Sequence, residues 1–550
     1  MVLSTMRQVR QRALCHVPPA DERNLIESSA SGAQYCGEVN VAQMLLNAAR
    51  RTPDAPAITQ GSVHRTYAEL EARSDALANG LLNLGVAFGD RVGLLMANRP
   101  ELIEAMYACF RIGACVVPLN ARFTEEEVVY HLEDSGAAAI LCDEDGFAGA
   151  VATYAGPARV VVTGTTSPAT GVTSLEALID ASERTGGAVL VDRDDLAWLF
   201  YTSGTTGRPK GAMLTHGNLA FVVASWLADL TPMAEGDVTL HAAPLSHGAG
   251  FHALAATARG AHHVLPESPH FDPAAMMTLL REAKVANTWM VPTQIVMLAD
   301  HLAEHPDDEL VDLRAIVYGG APFPEPELRK ALDVLGPVLV QLYAQGETPM
   351  TATVLPAADH VRIVAEGTDQ LASAGFARPG MDVRVLDERS QPAAVGAVGE
   401  ICVRGPAVML GYWQRDEATA ETLRNGWLHT GDLGRMDEQG YIFLMDRAKD
   451  MIITGGSNVY AVEVEAVIAA VEGIKEVAVV GIADRKWGEI VTAVLVPEDG
   501  VTIDLEALAA HCAASMTSYK CPRRWEQLDE LPRNAYGKVL KRELRERLSA

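Results

Sequence analysis

The chain lacks long apolar runs: none of its 550 residues belongs to a stretch approaching the roughly eighteen uninterrupted apolar residues that a membrane-spanning helix needs. It also lacks a basic surplus, since 45 Lys and Arg face 71 Asp and Glu and the formal net charge is −26. Such a charge repels nucleic-acid backbones and anionic lipid. The sequence therefore predicts a soluble protein with no membrane span and no nucleic-acid partner. Small phosphate ligands are still compatible with it, because their sites need only local donors and a few cations.

Cysteine pairs of the kinds that cross-link a chain or bind zinc are missing too. The eight cysteines include no CxxC pair, and none stands in a zinc-like pattern with histidine. We expect reduced, mostly buried thiols in a cytoplasmic protein.

The length of 550 residues exceeds what one hydrophobic core usually organises, so two or more domains are expected. Residues 1–38 stand apart as an appendage. The first dozen residues carry Arg7, Arg10 and Arg12 and no acid, yet no apolar signal core follows. This segment is interpreted as a disordered leader or as sequence upstream of the true start.

Strands and helices alternate in the first two thirds of the chain. Thr66 with Glu69, and Thr124 with Glu127, form the pattern of a capping box at the start of two helices. Short apolar runs between helical stretches predict strands at 91–96, 114–118 and 138–142. The alternation continues to about residue 340 and favours parallel sheets covered by helices.

Beyond about residue 380, valine-rich runs predict β-structure, and a polar break then precedes a compact unit of about a hundred residues. The expected fold class is α/β with an α+β C-terminal domain: a large N-terminal domain of stacked sheets covered by helices, a β-rich subdomain, and a small mobile C-terminal domain. The predicted boundaries are 39–445 for the N-terminal domain, 446–450 for a hinge and 451–550 for the C-terminal domain.

The segment Tyr201–Gly211 is the strongest local signal for function. It follows an apolar strand and combines glycines, which let the backbone approach a ligand, with hydroxyl donors and a lysine. A polyphosphate needs such donors and a cation. The segment is not a Walker A loop, because Pro209 precedes the lysine and no Ser or Thr follows it. The candidate phosphate-binding residues are Thr202, Ser203, Gly204, Thr205, Thr206, Gly207 and Lys210.

At this loop the sequence resembles the superfamily of adenylate-forming (AMP-binding) enzymes, which includes acyl- and aryl-CoA synthetases, peptide-synthetase adenylation domains and luciferases. The resemblance recurs in the family's order and spacing from about residue 40 to 545. The segments that carry it are Tyr201–Gly211, Pro244–Phe251, Tyr318–Pro322, Tyr343–Thr348, Gly411–Trp413, Trp427–Leu433, Asp446–Asp450 and Pro532–Lys538.

The resemblance implies an AMP-forming acid–thiol ligase that uses ATP, Mg2+ and coenzyme A. A carboxylic acid would first form an acyl-adenylate and pyrophosphate, and the acyl group would then pass to the thiol of CoA. Lys210, Glu347 and Lys538 are the implied catalytic residues, with Glu347 also the metal ligand. The implied nucleotide contacts are the stacking ring of Tyr343, the backbone wall of Gly319, Gly320 and Ala321, and the ribose ligands Asp432 and Arg447.

The resemblance also assigns the second half-reaction to the C-terminal domain. That domain would rotate about Lys449, withdraw Lys538 and present another face to the adenylate. Gly455, Gly456 and Trp487 would line the channel for the pantetheine arm of CoA.

The acid pocket is expected in the segments that lie beneath the phosphate loop in the family. Its histidines either orient a carboxylate or, at position 247, gate the pocket as an uncharged ring. The predicted pocket residues are His247, Gly248, Ala249, His252, Tyr318, Gln345 and Met350.

The sequence departs from the family near residue 343. Ala344 stands where glycine is common, and Gly346 stands where the family usually has a threonine that donates to phosphate; Thr348 is a candidate to replace part of that hydrogen bond. In the rival hypotheses, the enzyme still forms the acyl-adenylate but transfers the acyl group to a carrier protein or to another nucleophile. A further alternative is a non-catalytic scaffold protein. A homodimer is the candidate oligomeric state.

Overall fold

The computed structural model describes residues 40–152, 156–164, 171–202, 208–305, 310–321, 323–447, 450–454, 457–534 and 537–549, with the backbone alone at 150, 446 and 447. The predicted leader 1–38 lies outside these residues. Within them, no helix has the length and apolar character needed to cross a membrane.

The strands of the large N-terminal region come first in the chain and alternate with helices. They are β1 Pro56–Gln60, β2 Val63–Thr66, β3 Arg91–Leu95, β4 Cys115–Leu119, β5 Ala139–Cys142, β6 Arg159–Val162, β7 Val172–Ser174, β8 Leu196–Thr202, β9 Lys210–Thr215, β10 Val238–Leu240, β11 His262–Val264, β12 Val285–Met290, β13 Ala315–Tyr318, β14 Leu339–Gln345, β15 Thr348–Leu355 and β16 Phe376–Ala377.

The remaining strands belong to the β-rich region and to the C-terminal unit. They are β17 Asp382–Leu386, β18 Gly399–Arg404, β19 Leu423–Arg424, β20 Trp427–Met436, β21 Ile442–Arg447, β22 Ile452–Thr454, β23 Ser457–Val459, β24 Ile474–Asp484, β25 Gly488–Pro497 and β26 Arg524–Gln527.

The helices fill the connections between these strands. They are α1 Gln43–Arg51, α2 Tyr67–Asn83, α3 Pro100–Arg111, α4 Glu125–Ser135, α5 Glu144–Gly146, α6 Leu175–Asp180, α7 His216–Ser225, α8 Gly248–Arg259, α9 Pro273–Glu282, α10 Pro292–Glu304, α11 Glu325–Leu335, α12 Ala357–Glu366, α13 Asp416–Thr422, α14 Ala461–Ala469, α15 Leu505–Ser515 and α16 Lys541–Ser549, with π-helical turns at Phe147–Val151 and Trp226–Leu230 and a 3-10 turn at Asp369–Ala372.

Two large, mostly parallel sheets organise the N-terminal region. A nine-stranded sheet has the order β16-β15-β14-β13-β12-β10-β11-β1-β2, and a seven-stranded sheet has the order β7-β6-β5-β3-β4-β8-β9. The central pairs are parallel, and antiparallel pairs occur at the ends, such as β8 with β9 and β14 with β15. The prediction of parallel sheets with helical connections is confirmed.

Two smaller sheets follow. In the β-rich sheet the order is β17-β18-β20-β19, with β21 paired to β20; in the C-terminal sheet it is β23-β22-β25-β24, with β26 paired to β25. Helix α14 packs on β24 above a separate hydrophobic cluster that includes Val464, Val479 and Leu495. The α/β fold class with an α+β C-terminal domain is therefore confirmed.

Local capping signals in the sequence determine where helices begin. Both predicted capping boxes form, with the hydroxyls of Thr66 and Thr124 accepting from the backbone amides of Glu69 and Glu127. Their helices, α2 and α4, connect β2 to β3 and β4 to β5. Six cysteines lie in the described residues; all are free thiols, and all but Cys521 are buried.

The predicted hinge 446–450 overlaps the end of a strand. Asp446 pairs with Leu433, and Arg447 pairs with Asp432, in the antiparallel ladder between β20 and β21. Rotation of the backbone at either position would break this ladder. The predicted pivot, Lys449, comes after this ladder and lies outside the described residues.

A cluster of three fully buried histidines lies where α8 meets the nine-stranded sheet. A ring nitrogen of His241 bonds to His263 at 2.9 Å. The other nitrogen of His263 contacts the hydroxyl of Thr257 at 3.1 Å, and this hydroxyl donates its proton to the carbonyl of Ala253. His263 must then donate to Thr257 through Nε2, and a neutral His263 ring accepts from His241 through Nδ1.

His252 on α8 completes this histidine cluster. Its Nε2 donates to Oδ1 of Asn287 at 2.8 Å, and its ring lies 5.3 Å from that of His241. Burial lowers the pKa of His252 to about 4 and that of His263 to about 3. Burial, followed by the neighbouring rings, lowers the pKa of His241 well below its ordinary value. The cluster is therefore uncharged at neutral pH.

This cluster predicts acid sensitivity with a defined sign. Below about pH 6.5 the unfolded chain protonates these histidines while the folded chain does not, so the free energy of unfolding falls as the pH falls from 6.5 towards 4. His263→Gln should reduce that slope by about 1.4 kcal/mol per pH unit, because one proton fewer is taken up. Urea unfolding at pH 5 to 6.5 measures it. His270→Gln, at an exposed position, is the control; equal slopes in all three proteins would refute the prediction.

Candidate active site

The two ends of the predicted phosphate loop are held together by the sheet. Thr202 ends β8, Lys210 begins β9, and the two residues are cross-strand partners in the antiparallel ladder. The residues between them that were predicted to bind phosphate, namely Ser203, Gly204, Thr205, Thr206 and Gly207, lie outside the described residues. The hydroxyl and the ammonium group that flank this loop nevertheless emerge side by side.

Hydrogen bonds to Tyr130 and Asp134 anchor both ends of the loop to helix α4. The hydroxyl of Tyr130 donates to the carbonyl of Pro209 at 2.6 Å, and that of Tyr201 donates to Asp134 at 2.9 Å. Asp134 is also paired with Arg415. Burial and the carboxylate of Asp134 raise the pKa of Tyr201, so its hydroxyl remains a proton donor. Sequence reasoning missed Tyr130, Asp134 and Arg415, which are far from the loop in the chain.

Glu347 is buried at the foot of the loop and receives two hydrogen bonds. The hydroxyls of Thr202 and Tyr412 donate to its Oε1 at 2.9 and 2.7 Å. Only 7% of Glu347 is exposed. Because both bonds go to one oxygen, they fix the rotation of the carboxylate.

Tyr412 also holds the lysine of the loop. The Nζ atom of Lys210 lies 4.5 Å from the centre of the Tyr412 ring, a cation–π contact. Backbone bonds place the tyrosine there, since the amide of Met213 donates to Gly411 and the amide of Trp413 donates to Gly211. The segment Gly411–Trp413 carried the family resemblance, but its motif gave no role for Tyr412.

The unusual glycine at 346 has a steric explanation. A Cβ atom added to Gly346 would lie 2.4 Å from Cδ1 of Phe200 and 2.5 Å from Cγ2 of Thr202. The space of a threonine side chain is thus occupied by the end of β8. Thr348 does not replace the missing hydroxyl, because it is fully buried and hydrogen-bonded to Thr351. That part of the sequence-based expectation is wrong.

Asp432 forms the other half of the site together with Tyr343 and Gln345. The hydroxyl of Tyr343 donates to Oδ2 of Asp432 at 2.7 Å, and the amide of Gln345 donates to the same oxygen at 2.6 Å. Gln345, predicted in the acid pocket, therefore contacts the predicted ribose carboxylate. Arg447 is the cross-strand partner of Asp432, so the backbone brings these two predicted ribose residues together.

A bulge in β20 interrupts the pairing of Asp432 with β18, while its pairing with β21 is kept. Cys402 pairs with His429 and Glu400 with Leu433, so three residues of β18 lie opposite five of β20. Gly431 takes a φ of +70°, which suits glycine. Its amide donates to Oε1 of Glu400 at 3.0 Å. Glu400 thereby supports the turn that presents Asp432.

The predicted backbone wall, residues 319–321, lies beside the strand β14, which contains Tyr343. A Cβ on Gly319 would lie 2.4 Å from the carbonyl oxygen of Leu342, so a side chain has no room there. Gly320 has a φ of +81° and, like Ala321, is exposed. The segment 319–321 therefore leaves an open edge next to β14.

The predicted acid pocket centres on Gly248. The methyl end of Met350 lies 2.5 Å from the position of a Cβ on Gly248, and the Trp289 ring lies 3.7 Å from it. Ala249 is buried alongside. The ring of His247 packs on Phe200 at 4.7 Å, and burial lowers its pKa to about 4. At neutral pH this ring is uncharged, which fits a gate and not a cation for a carboxylate.

Two predicted pocket residues lie in the packed interior instead. His252 belongs to the buried histidine cluster and stacks on Trp226 at 4.7 Å. The hydroxyl of Tyr318 contacts His360 at 2.9 Å, and its ring packs against Phe323. The structure gives both side chains interior hydrogen-bond partners, which the motif could not reveal.

The C-terminal unit holds the remaining predicted residues. Trp487 lies between two basic side chains, with the Arg523 guanidinium carbon 4.1 Å and the Lys486 nitrogen 4.9 Å from its ring centre. Lys538 ends a turn in which its amide donates to Oδ1 of Asn534 at 2.9 Å. The described part of the structure does not include Lys449, Gly455, Gly456 or the side chain of Arg447.

Comparison with known families decides the identity of this fold. The profile described as "AMP-binding enzyme" matches residues 45–413, and that described as "AMP-binding enzyme C-terminal domain" matches residues 463–538. The chain belongs to the AMP-binding enzyme family. The resemblance deduced from the motifs is thus confirmed.

Individual AMP-binding enzymes match over nearly their whole length. A feruloyl-CoA synthase from Amycolatopsis sp is 39% identical over 501 residues, 91% of this chain and 97% of that protein. Long-chain-fatty-acid–CoA ligase FadD13 from Mycobacterium tuberculosis is 35% identical over 514 residues, 93% of this chain and 99% of that protein. The structure of ATP-bound MatB from Rhodopseudomonas palustris superposes with a TM-score of 0.82 at 32% identity, covering 93% of this chain and 99% of that one.

The packing at position 346 generates a prediction for this AMP-binding enzyme. Gly346→Thr restores the residue common in the family, yet it should lower the free energy of unfolding by about 1–3 kcal/mol, because the new Cβ overlaps Phe200 and Thr202. Gly149→Thr is the matched control, since nothing lies within 4 Å of a Cβ there. Denaturant unfolding measures both. A Gly346→Thr variant as stable as the parent would contradict the steric explanation.

Proposed function

We propose that the chain is an ATP-dependent acid–CoA ligase. A carboxylate oxygen of the acid attacks the α-phosphorus of ATP, pyrophosphate leaves, and an acyl-adenylate forms. The thiol of CoA then attacks the acyl carbon, and AMP leaves. The observation that carries the proposal is the contact of Thr202 and Tyr412 with Glu347 and of Lys210 with Tyr412, which gathers a carboxylate, a hydroxyl and a cation at the phosphate loop.

The residues around Glu347 fit a Mg2+–ATP complex. Mg2+ prefers oxygen ligands and commonly takes one or two carboxylates together with phosphate oxygens. Glu347 offers an oriented carboxylate, Thr202 a neighbouring hydroxyl, and Lys210 a positive charge for the phosphates. When bound, Mg2+ would neutralise charge that develops on the pyrophosphate leaving group.

The nucleoside end of ATP is assigned to the Asp432 side of the site. The bonds from Tyr343 and Gln345 hold the carboxylate of Asp432 in one orientation, ready to accept from ribose hydroxyls. The hydrogen bond from the Tyr343 hydroxyl to Asp432 also fixes the position of the Tyr343 ring, whose face is proposed to stack on adenine. The open edge at 319–321 gives that base a place to lie.

Lys538 is proposed to bring its charge to the reacting groups during adenylation. Attack of a carboxylate on phosphorus brings two anions together, and a lysine that contacts both lowers this repulsion most in the transition state. Rotation of the C-terminal domain about Lys449 would then remove Lys538 and admit the acceptor.

Coenzyme A is the proposed acceptor, on the evidence of charge and of relatives. Trp487 with Lys486 and Arg523 offers an aromatic face and two positive charges, which suit a long arm ending in phosphates. The chain as a whole carries a charge of −26, so this local basic group stands out. Transfer to an acyl carrier protein at a higher rate than to CoA would overturn this assignment.

The proposed acid is aryl-substituted. The Trp289 ring is buried beside the backbone of Gly248 and Gly319, where the Met350 methyl group and the Leu342 carbonyl fill the space that a side chain would take. The relative that is 39% identical is a feruloyl-CoA synthase.

A cytoplasmic location, supported by six free thiols among the described residues, and a homodimer stay predictions.

The test of this function separates the two half-reactions. The parent enzyme should release pyrophosphate with ferulate, ATP and Mg2+ and form feruloyl-CoA when CoA is present, with palmitate a poorer substrate. Lys538→Ala should slow adenylation by at least about 100-fold, because it removes the charge from the transition state. Thioester formation from supplied feruloyl-adenylate should stay within a few-fold of the parent rate.

Lys520→Ala is the control, since this lysine is paired with Glu463 inside the C-terminal unit and has no assigned role in the reaction. Equal loss of both half-reactions in Lys538→Ala would contradict its role, and no pyrophosphate release with any carboxylic acid would contradict the function itself.

A further inference from the structure

Three potential metal ligands of different chemistry converge on one face of the β-rich sheet, close to Asp432 but outside the residues assigned to the reaction. They are the carboxylate of Glu400, the thiol of Cys402 and the imidazole of His429. Nδ1 of His429 lies 2.7 Å from Oε2 of Glu400 and 3.4 Å from Sγ of Cys402. All three ligand atoms fall within 4.8 Å of one another.

Rigid strands, and not a loop, hold this trio. Glu400 and Cys402 are two apart on β18 and so point to the same face, and Cys402 is the cross-strand partner of His429 on β20. Cys402 and His429 are buried, and Glu400 is partly exposed. The arrangement therefore exists before any ligand arrives, with one side open to solvent.

The spacing matches a tetrahedral zinc site. With Zn–S near 2.3 Å and Zn–N and Zn–O near 2.1 Å, ligand atoms sit about 3.4–3.6 Å apart. The distance of 3.4 Å between Sγ of Cys402 and Nδ1 of His429 already matches this ligand spacing. The carboxylate oxygen of Glu400, at 2.7 Å from the same nitrogen, has to move away by less than about 1 Å. The guanidinium of Arg424 lies 3.5 Å from Glu400, and the side chain of Arg424 is half-exposed.

We propose that Glu400, Cys402 and His429 bind one thiophilic divalent cation of the Zn2+ class, and that its binding inhibits adenylation. Three protein ligands leave a fourth position for water. Binding replaces the thiol proton of Cys402, which passes to solvent, moves the ring proton of His429 from Nδ1 to Nε2, and redirects Glu400. Because Oε1 of Glu400 holds the amide of Gly431, that movement loosens the bulge that presents Asp432.

Binding is tested first, on the full-length reduced protein freed of metal by chelation. Titration with Zn2+ against a competing chelating dye should show one tight equivalent, and Co2+ should give a thiolate-to-cobalt charge-transfer band in the near ultraviolet. Cys402→Ser and His429→Gln should each weaken Zn2+ binding by more than about 100-fold, since loss of an outer-sphere partner alone costs 10–100-fold.

Cys521→Ser is the matched control, because it removes the half-exposed thiol of the C-terminal unit, and it should leave the tight equivalent and the band intact. An unchanged Zn2+ stoichiometry and affinity in Cys402→Ser, or the absence of a tight equivalent in the parent, would overturn the site. Both readouts are independent of the proposed reaction, so their failure is distinguishable from a failure of that function.

Inhibition, which rests on the proposed function, is tested second. Micromolar Zn2+ in the presence of excess Mg2+ should slow ATP–pyrophosphate exchange in the parent and in Cys521→Ser, with much less effect in Cys402→Ser. Equal inhibition of all three proteins would show that occupancy of this site does not control adenylation.

Discussion

The structure of the candidate active site depends on the buried carboxylate of Glu347. Hydroxyls from two distant parts of the chain, Thr202 and Tyr412, meet at one of its oxygens, and the ring of Tyr412 carries the ammonium of Lys210. The end of the seven-stranded sheet, the β14–β15 turn and the segment after β18 are therefore joined at a single charged group. Its burial makes these bonds strong and makes any loss of them costly.

The second half of the site is built in the same way, around Asp432. A bulge supported by Glu400 carries this carboxylate, and Tyr343 and Gln345 orient it. Two carboxylates on different sheets are thus placed by neighbouring residues, one assigned to the metal and phosphates and the other to the ribose. The same device explains how a cation at Glu400, remote from the phosphates, can influence nucleotide binding.

The sequence predicted the fold class and the two half-sites because their residues lie in continuous motifs with recognisable spacing. It could not predict contacts between residues far apart in the chain, such as Tyr130 with Pro209 or Arg415 with Asp134, whose separation carries no pattern. Nor could it explain Gly346, which is set by the ring of Phe200. The sequence did not reveal the grouping of Glu400, Cys402 and His429, because two paired strands bring these residues together and no sequence spacing marks them.

The charge of Glu347 is proposed to organise Mg2+ and ATP for adenylation. Glu347→Gln removes this charge, while its amide oxygen can still accept from Thr202 and Tyr412. The Mg2+ concentration for half-maximal ATP–pyrophosphate exchange should rise by more than about tenfold, with the unfolding midpoint little changed. An unaltered Mg2+ dependence in a stably folded variant would contradict the account.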